Sequence, residues 1–343
     1  MIYPIGLYIL PTVSVENVED VVHRLLQSRG APPANAEMQA ALLIDAELRG
    51  LASHGLLRLP RILERIDNGV ADPKAVGDAR WDTPGFLRID GQKGLGPVVG
   101  LSTLSLAAER ARDQGVVVAA ITNANHLGSL AFYAERVALQ GQCLIAFTTS
   151  EALVHPWGGR QAMIGTNPIA IGMPAEDEPF VMDTATSLVS MGKIHDYANR
   201  GEPIPADWAL DANGAPTTDA SRAKAGAIAP FGGAKGYALG LAFELLVVGL
   251  AGGALGRDVR GTLDSTAVCN KSDLFIVIDH PVSSISAYLA AIRDAEPAQG
   301  FANVRIPGER GRALRRQRRA DGLPVDDALW AQIMAMRQEM EAR

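Results

Sequence analysis

Several polar segments of this 343-residue chain hold side chains that could bind a small anion and move a proton. The first segment contains Ser53, His54 and Arg58. An arginine can hold a carboxylate through two parallel hydrogen bonds, and histidine is the usual proton donor or acceptor near neutral pH. If a helix has begun by His54, Arg58 lies one turn farther along the same face. The segment predicts a carboxylate site beside an acid/base group, although His54 taken alone could equally be structural.

A second histidine, His126, comes directly after an apolar run and two asparagines, Asn123 and Asn125. The run Val116–Thr122 is short and apolar throughout, as is typical of a strand that is covered on both faces. Ligand sites in α/β proteins form beyond the carboxyl ends of strands. We therefore expect this cluster to line a site, with His126 as a second acid/base candidate.

Two further predicted strands also end in polar residues. Ser150 follows the apolar residues 144–148, and Asp183 follows the apolar residues 180–182. Asp183 is predicted either to bind a ribose hydroxyl or to cap the next helix. His155 lies in a loop rich in proline and glycine, and we expect it to be structural.

A glycine-rich turn with Lys235 precedes a long apolar run, and such a turn at a helix N-terminus attracts phosphate. It is not a P-loop, because the GxxxxGK[ST] spacing is absent. Six arginines cluster between residues 310 and 319. They are predicted to form a solvated helix face, with a partial role in holding a nucleotide phosphate as the alternative.

One glycine pattern imitates a dinucleotide-binding turn. Gly94, Gly96 and Gly100 give the spacing GxGxxxG rather than GxGxxG, and Pro97 removes a backbone donor from the turn. The next strand ends without an acidic residue that could hold a ribose. We expect these glycines to permit close packing instead of binding phosphate.

The elements that must position these residues are α-helices and strands in alternation. Ser14 is predicted to cap a first helix, and apolar spacing predicts a third helix over residues 56–67. Predicted strands and helices then alternate, which indicates an α/β fold, and the chain returns to helix after residue 308.

Composition narrows the class of protein. The net charge is −6, with 32 basic and 38 acidic residues, which argues against a nucleic-acid binder. Two widely separated cysteines with no CxxC motif indicate neither a zinc site nor a disulfide framework, and they fit a cytoplasmic protein. Residues 236–256 are nearly long enough to span a membrane, but Glu244 lies near their centre. We expect a buried core helix there and no membrane association.

Taken together, these segments resemble the type-2 malate/L-lactate dehydrogenase family of NAD(P)-dependent oxidoreductases. The resemblance runs from residue 13 to the C-terminus and leaves the first ten residues outside. It is carried, in the family's order, by RGLASHGLLRLPRILERIDNGV, NANHLGSLAFYAERVA, HPWGG, GTNPIAIGMP, VMDTATS, GKI, IPADWALDANGAPTTD, PFGGAKGYALGLAFELL and VRIPGER.

The resemblance implies a non-Rossmann α/β fold in which residues 1–75 pack with residues 285–343. Residues 76–284 would then form the NAD(P)-binding α/β domain. It also implies a homodimer with sites near the subunit boundary. The implied reaction is hydride transfer between nicotinamide and C2 of a small anionic 2-hydroxy or 2-oxo acid. A ketimine reductase acting on a cyclic imine carboxylate and a catalytically silent ligand-binding relative are the alternatives.

Particular residues match the family's functional positions. By resemblance, His54 and His126 are the acid/base candidates, and Arg58 is the carboxylate clamp with Ser53 beside it. An ordinary histidine pKa of about 6.5 would suit both reaction directions, and no metal is expected. Whether the cofactor is NAD or NADP stays open. The positions that match cofactor contacts are Ser150, Asp183, Thr184, Ala185, Lys235, Gly308, Glu309 and Arg310.

Overall fold

A mixed sheet lies at the centre of the computed structural model, which describes residues 12–281 and 285–342. The strands are β1 (Thr12–Val13), β2 (Asp78–Thr83), β3 (Phe86–Asp90), β4 (Val116–Thr122), β5 (Cys143–Thr148), β6 (Ile169–Met173), β7 (Phe180–Thr184), β8 (Ala209–Leu210), β9 (Ala227–Ile228), β10 (Ser272–Ile278) and β11 (Leu323–Pro324). The α-helices are α1 (Val15–Gln27), α2 (Pro33–Leu48), α3 (Leu59–Asp67), α4 (Gly96–Gln114), α5 (Ala131–Leu139), α6 (Met191–Arg200), α7 (Ala220–Lys224), α8 (Ala234–Ala251), α9 (Ser286–Arg293), α10 (Glu309–Asp321) and α11 (Asp327–Glu341).

The seven strands of the central sheet follow the order β2-β3-β4-β10-β5-β6-β7. Only β3 and β4 pair in parallel, and β10 lies between β4 and β5, antiparallel to both. Because β6 reverses direction again, β3, β4, β5 and β7 all run the same way. Their carboxyl ends therefore lie at one edge of the sheet, and the polar segments after β4, β5 and β7 meet there. The α/β fold predicted from the sequence is confirmed.

Helices cover both faces of the sheet. On one face, α4 and α5 pack against the strands, and α2 packs on these helices. Tyr133 of α5 is fully buried there and donates a hydrogen bond to the Leu127 carbonyl at 2.6 Å. On the other face, α8 lies across β10, β4 and β5, where the Phe147 and Phe243 ring centroids are 5.0 Å apart.

The N-terminal helices pack on the C-terminal ones. The side chain of Ser14 accepts a hydrogen bond from the backbone of Asn17, so the predicted cap of α1 is confirmed. Strand β1 pairs with β11, and α1 contacts α11. One hydrophobic cluster joins α1 and α2 to the sheet. The division of the chain into a helical part and an NAD(P)-binding domain stays a prediction. Residues 1–10 lie outside the described residues.

The predicted start of the third helix is wrong. Two short 3₁₀ turns, Ala52–His54 and Leu56–Arg58, replace its first turns, and α3 begins at Leu59. The reason is Pro60, which has no N–H to donate and is tolerated only in a helix's first turn. Residues before Leu59 therefore leave the α-helical path.

The arginine-rich helix α10 is not the solvated face that the sequence suggested. Arg312 is buried and donates to Glu178 at 2.9 Å. Arg315 donates to Glu135 of α5 at 2.6 Å and to Asp45 of α2 at 3.3 Å. These two guanidinium groups bind acids of other elements, so they hold α10 onto the domain instead of binding phosphate.

Helix α8 is not the buried core helix that was expected. By length and composition it is apolar enough to cross a membrane, and only 28% of it is buried in the structure. Its buried face includes Glu244, which accepts hydrogen bonds from Gly165, Asn167 and Gly256. The sheet covers only that side, which leaves Leu239, Leu245 and Leu246 exposed on the other.

The buried acid Glu135 gives a test of this packing. Burial alone would raise its pKa, but the hydrogen bond from Arg315 and the charge of Arg49 lower it overall. We expect Glu135→Gln to lower the free energy of unfolding by about 3 kcal/mol at pH 7, because two guanidinium groups lose their partner. Urea denaturation would measure the change, with Arg337→Gln, which breaks an exposed pair, as the control.

The sign of the pH dependence follows from the lowered pKa. The stability that Glu135 contributes is present above the ordinary glutamate value of 4.5 and is lost as the pH falls through the folded-state pKa. The difference between wild type and Glu135→Gln should therefore shrink below pH 4.5. A variant as stable as wild type at pH 7 would show that the cluster does not hold α10.

Candidate active site

The two predicted histidines and the predicted arginine meet in one cavity. His54, Arg58 and His126 all line it, and the ring centroids of the two histidines are 5.6 Å apart. The cavity comprises about 510 Å³ of space between protein atoms, part of it open to solvent. Apolar side chains line much of the remaining wall, namely those of Leu42, Leu43, Ile62, Ala71 and Leu95.

Glu47 of α2 binds the backbone where the two 3₁₀ turns meet. Its carboxylate accepts a hydrogen bond from the Leu56 N–H at 2.7 Å, and its own pKa is raised by burial. A Cβ atom on Gly55 would lie 2.2 Å from the same carboxylate, so only glycine fits between them. In front, Ser53 Oγ lies 3.0 Å from His54 Nδ1. The close approach at Gly55 thus presents His54 to the cavity, with Ser53 beside it.

Arg58 is oriented by the same turn. Its Nε donates to the Ser53 carbonyl at 2.7 Å, which fixes the plane of the guanidinium group. Burial, and then the nearby charge of Arg61, lower the pKa of Arg58 to about 10, so it still carries its charge at neutral pH. The two terminal nitrogens can therefore serve a carboxylate in the cavity.

The second histidine is positioned by the loop after β4. Asn125 is buried, and its amide donates to the carbonyls of Lys93 and Gly94 at 2.6 and 3.1 Å. A Cβ atom on Gly96 would lie 2.1 Å from the His126 carbonyl oxygen. The glycines before α4 therefore permit close packing against this loop, as the sequence predicted.

The hydrogen bonds of His126 decide its tautomer. Its Nδ1 accepts from the Gly128 N–H at 3.1 Å, so the proton of the neutral ring must be on Nε2. For His54, Nδ1 faces the Ser53 hydroxyl, which can either donate or accept. The two rings are therefore chemically distinct.

The expectation of an ordinary histidine pKa is not met. Burial, and then the charge of Arg58, lower the pKa of His54 to about 4. Burial, and then the charges of Arg58 and His54, lower the pKa of His126 well below 6.5. Both rings are neutral at pH 7 in the free protein, ready to accept a proton and not to supply one.

The sequence analysis missed two arginines that also line the cavity, Arg61 and Arg65. They follow Arg58 by three and seven residues, the spacing that keeps side chains on one helix face. That periodicity is present in the sequence, but the apolar residues of the same helix form a second periodic face beside it. Gln39 and Thr262 line the cavity as well, and they come from segments with no motif.

The residues matched to cofactor contacts gather at the same sheet edge. Ser150 follows β5, and its Oγ accepts from the Thr166 N–H at 3.0 Å. Asp183, the last residue but one of β7, accepts from Ser129 Oγ at 3.0 Å and from the Ala131 N–H at 2.8 Å. Asp183 therefore caps α5, not the helix that follows it in sequence.

Two backbone approaches bring the remaining segments to β7. The Phe231 N–H donates to the Thr186 carbonyl at 3.0 Å, which places the turn before Lys235 beside Ala185 and Thr184. A Cβ atom on Gly308 would lie 2.6 Å from the Val181 carbonyl oxygen, so the α10 start touches β7. Lys235 is exposed at the first turn of α8.

Three sequence candidates point elsewhere. Glu309 is paired with Arg293 and accepts from the Ile306 N–H at 2.9 Å, so it closes its own turn. Arg310 lines an open groove beside α10, apart from the histidine cavity. His155 is nearly buried and its Nδ1 lies 2.9 Å from the Pro156 carbonyl, consistent with the structural role expected.

A dinucleotide fits this edge by the chemistry of its donors. Lys235 and the amides of the first turn of α8 suit a diphosphate, and the hydroxyl of Thr184 suits a ribose. The cavity also adjoins Ser150, since the N–H of Thr262 on its wall donates to the neighbouring Glu151 carboxylate at 2.8 Å. In the described parts of the chain, no group of three or more His, Cys, Asp or Glu side chains could hold a metal ion.

Comparison with known proteins gives the same picture. The chain is 35% identical to an L-sulfolactate dehydrogenase of Methanocaldococcus jannaschii, over 95% of this chain and 96% of that protein. It is 36% identical to a (2R)-3-sulfolactate dehydrogenase (NADP(+)) of Chromohalobacter salexigens, over 94% and 97%. A Delta(1)-pyrroline-2-carboxylate reductase of Pseudomonas fluorescens is 33% identical, over 95% and 98%.

Solved structures agree with these relatives. A dehydrogenase from Sinorhizobium meliloti superimposes with a TM-score of 0.92 at 48% identity, covering 95% of this chain and 98% of that one. The family model described as malate/L-lactate dehydrogenase matches residues 13–334. This chain belongs to the malate/L-lactate dehydrogenase family.

Proposed function

We propose that this enzyme transfers a hydride reversibly between a nicotinamide cofactor and C2 of a small 2-hydroxy or 2-oxo acid. The observation that carries the proposal is the meeting of Arg58, His54 and His126 in one cavity. Relatives named as sulfolactate dehydrogenases support it. When bound, the cofactor supplies or accepts the hydride.

Arg58 positions the substrate. Its Nε is bound to the Ser53 carbonyl, so its two terminal nitrogens hold the substrate carboxylate in a fixed plane. Holding the carboxylate also fixes the adjacent C2 and its oxygen relative to the histidines. A large share of the rate acceleration in such sites comes from positioning of this kind.

The two histidines divide the proton chemistry. Because the neutral His126 carries its proton on Nε2, it donates a hydrogen bond from that atom to the C2 oxygen. His54 can place its proton on Nδ1 against Ser53 Oγ, which leaves Nε2 free to accept the hydroxyl proton during oxidation. In reduction, the anionic substrate raises the pKa of His54, and the protonated ring returns the proton.

The residues that we propose around the cofactor do not decide between NAD and NADP. Ser150, Thr184, Ala185 and Lys235 surround the end of β7, and Asp183 shapes it by capping α5. Gly308 lets α10 approach the same strand, while Glu309 and Arg310 lie farther out with opposite charges. Arg310 would favour a 2′-phosphate, and Glu309 would oppose one.

A ketimine reductase is the second candidate. The pyrroline-2-carboxylate reductase relative and the apolar part of the cavity wall favour it. A cyclic imine carboxylate would use the same Arg58 clamp, and its ring would pack on the leucines. The family resemblance implies that imine-reducing relatives carry a different motif after the matching histidine than Leu127-Gly128-Ser129, which favours the hydroxy acid.

The first test is consumption of reduced nicotinamide, followed by absorbance. NADH and NADPH would be offered separately with a panel of 2-oxo acids and one cyclic imine carboxylate. We expect rapid consumption with at least one 2-oxo acid, because the clamp and the proton donor both face that functional group. Consumption with the imine alone would show that the protein is a ketimine reductase and not a hydroxy-acid dehydrogenase.

The lowered histidine pKa values predict the pH dependence. Oxidation needs neutral histidine, so kcat/KM for the hydroxy acid should stay flat from pH 8 down to pH 6 and fall only near the His54 pKa of about 4. We expect His54→Gln and His126→Gln to lower kcat about 10²- to 10⁴-fold, the usual contribution of general acid–base catalysis. His280→Gln, an exposed histidine, is the control. Full turnover in both cavity variants would contradict the assignment.

We further propose that a second copy of the chain covers the exposed face of α8. This face presents Leu239, Leu245 and Leu246 with small residues between them, and its one exposed charge is Lys235 in the first turn. Exposed apolar patches of this kind mark interaction sites, and an apolar helix face can pair with itself about a two-fold axis.

Light scattering after gel filtration would test the dimer. Wild type is expected at twice the chain mass of 36.3 kDa. Leu245→Glu should give the monomer, because a dimer would bury an unpaired carboxylate. Leu139→Glu changes another exposed leucine, on α5, and should leave the dimer intact. A monomeric wild type, or a dimeric Leu245→Glu, would refute the proposal.

A further inference from the structure

We infer that Arg61 and Arg65 select a substrate with a second negative group, a carboxylate or sulfonate at the end of the acid remote from C1. The inference rests on the proposed function and names its substrate class as dianionic. It is carried by the placement of the two arginines on the cavity wall and by a buried donor of Arg65 that has no partner among the described residues. It is also carried by the neighbouring acids, whose carboxylates accept hydrogen bonds from backbone amides instead.

The first observation is a row of cations on one helix. Arg58 lies at the start of α3, Arg61 is about one turn farther, and Arg65 is about two turns farther on the same face. All three line the cavity. A substrate that is held at Arg58 by its C1 carboxylate therefore extends along a wall that carries two more guanidinium groups.

The second observation is an unpaired donor. Arg65 is only 5% exposed, its Nε donates to Asn125 Oδ1 at 2.9 Å, and its Nη1 donates to the Asp264 carbonyl at 2.7 Å. Its Nη2 is buried and has no partner among the described residues. A buried donor without a partner is costly, more so on a charged group, and an anionic oxygen is the partner that relieves this cost best.

The third observation is that the nearby acids are occupied. Glu151 accepts hydrogen bonds from the backbone of Thr262 and Leu263, and the Asp264 carboxylate binds amides of its own loop, such as Gly261. Arg65 reaches the carbonyl of Asp264 and not its carboxylate. These acids moderate the charge of the wall without taking the hydrogen bonds that a ligand would use.

Mutual repulsion gives supporting evidence. After burial, the charge of Arg61 lowers the pKa of Arg58, and it also contributes to the lowered pKa of Arg65. The guanidinium groups thus act on one another across the cavity, and a second anion between them would remove that repulsion. A neutral substrate tail would leave it in place.

The test compares oxaloacetate with 2-oxobutanoate, which has a methyl group where oxaloacetate has its second carboxylate. Sulfopyruvate is the third substrate and separates a sulfonate from a carboxylate. Wild type should prefer a dianion in kcat/KM by about 100-fold, as expected of charge-assisted hydrogen bonds to a desolvated arginine. Equal kcat/KM for dianions and monoanion would overturn the inference.

Variants locate the effect. Arg65→Met should raise KM for the dianions about 30-fold or more and change KM for 2-oxobutanoate little, since only the second anion uses Arg65. Arg58→Lys should raise KM for all three substrates, because they share the C1 carboxylate. Arg24→Gln removes a positive charge that pairs with Asp20 on an exposed helix face, and it should change neither. An Arg65→Met variant that keeps the dianion preference would contradict the assignment of Arg65 to the second anionic group.

Arg65 also holds Asn125, so its variant could lose stability for a reason unrelated to substrate. Arg61→Gln avoids this problem because Arg61 is exposed, and it should lower the dianion preference about 5- to 10-fold while Tm is unchanged. Unchanged preference in Arg61→Gln together with unchanged preference in a folded Arg65→Lys would overturn the inference.

A binding measurement separates the two levels of proposal. Calorimetry with malate and with 2-hydroxybutanoate needs no turnover, and malate should bind more tightly to wild type but not to Arg65→Met. Tight malate binding without nicotinamide consumption would refute the proposed reaction and keep the inference. Turnover with equal binding of both acids, or no binding of either, would refute the inference.

Discussion

The hydrogen bond from Arg65 Nε to Asn125 Oδ1 joins the two halves of the active site. Arg65 belongs to the helix that carries the row of arginines, and Asn125 belongs to the loop that carries His126. Asn125 in turn binds the backbone just before α4, whose glycines let that helix touch the His126 carbonyl. This contact therefore links the helix that follows the carboxylate clamp to the loop that holds His126, alongside the hydrogen bonds that each of them makes on its own side.

The electrostatics of the cavity follow from the same arrangement. Burial, and after it the charge of Arg58, lowers the pKa of both imidazoles and keeps the rings neutral in the free protein. Such a site is poised to take a proton from an alcohol, and it becomes a proton donor only when an anion has entered beside the rings. Substrate binding and protonation are thereby linked, so a cavity without its anion holds no acid.

Much of the fold and the site could be predicted from local sequence. The strand β4, with its apolar run, and the loop after it carry strong local signals, and the motif around His54 placed that histidine and Arg58 correctly in one site. Pro60 delayed α3 by a backbone constraint that hydrophobic spacing alone does not express. Arg61 and Arg65 have the right spacing in sequence, but their direction into the cavity depends on how α3 packs.

Long-range contacts account for the remaining errors. The fate of the arginines in α10 depends on acids more than one hundred residues away, such as Glu178 and Glu135. Helix α8 is apolar on all sides, so its sequence cannot tell which side meets the sheet and which meets another surface. The partners of such residues are decided by topology, which the local pattern does not contain.

Helix α8 has a consequence for the behaviour of the enzyme at different concentrations. This helix carries Lys235 at its first turn and the exposed leucines along its length. It also carries Glu244, which accepts hydrogen bonds from the loops around Gly165 and Gly256. In the dimer proposed above, subunit association and nucleotide binding would act on one rigid body. By mass action, whatever fixes this helix favours both events, so we expect dilution of the enzyme to weaken its hold on the nucleotide.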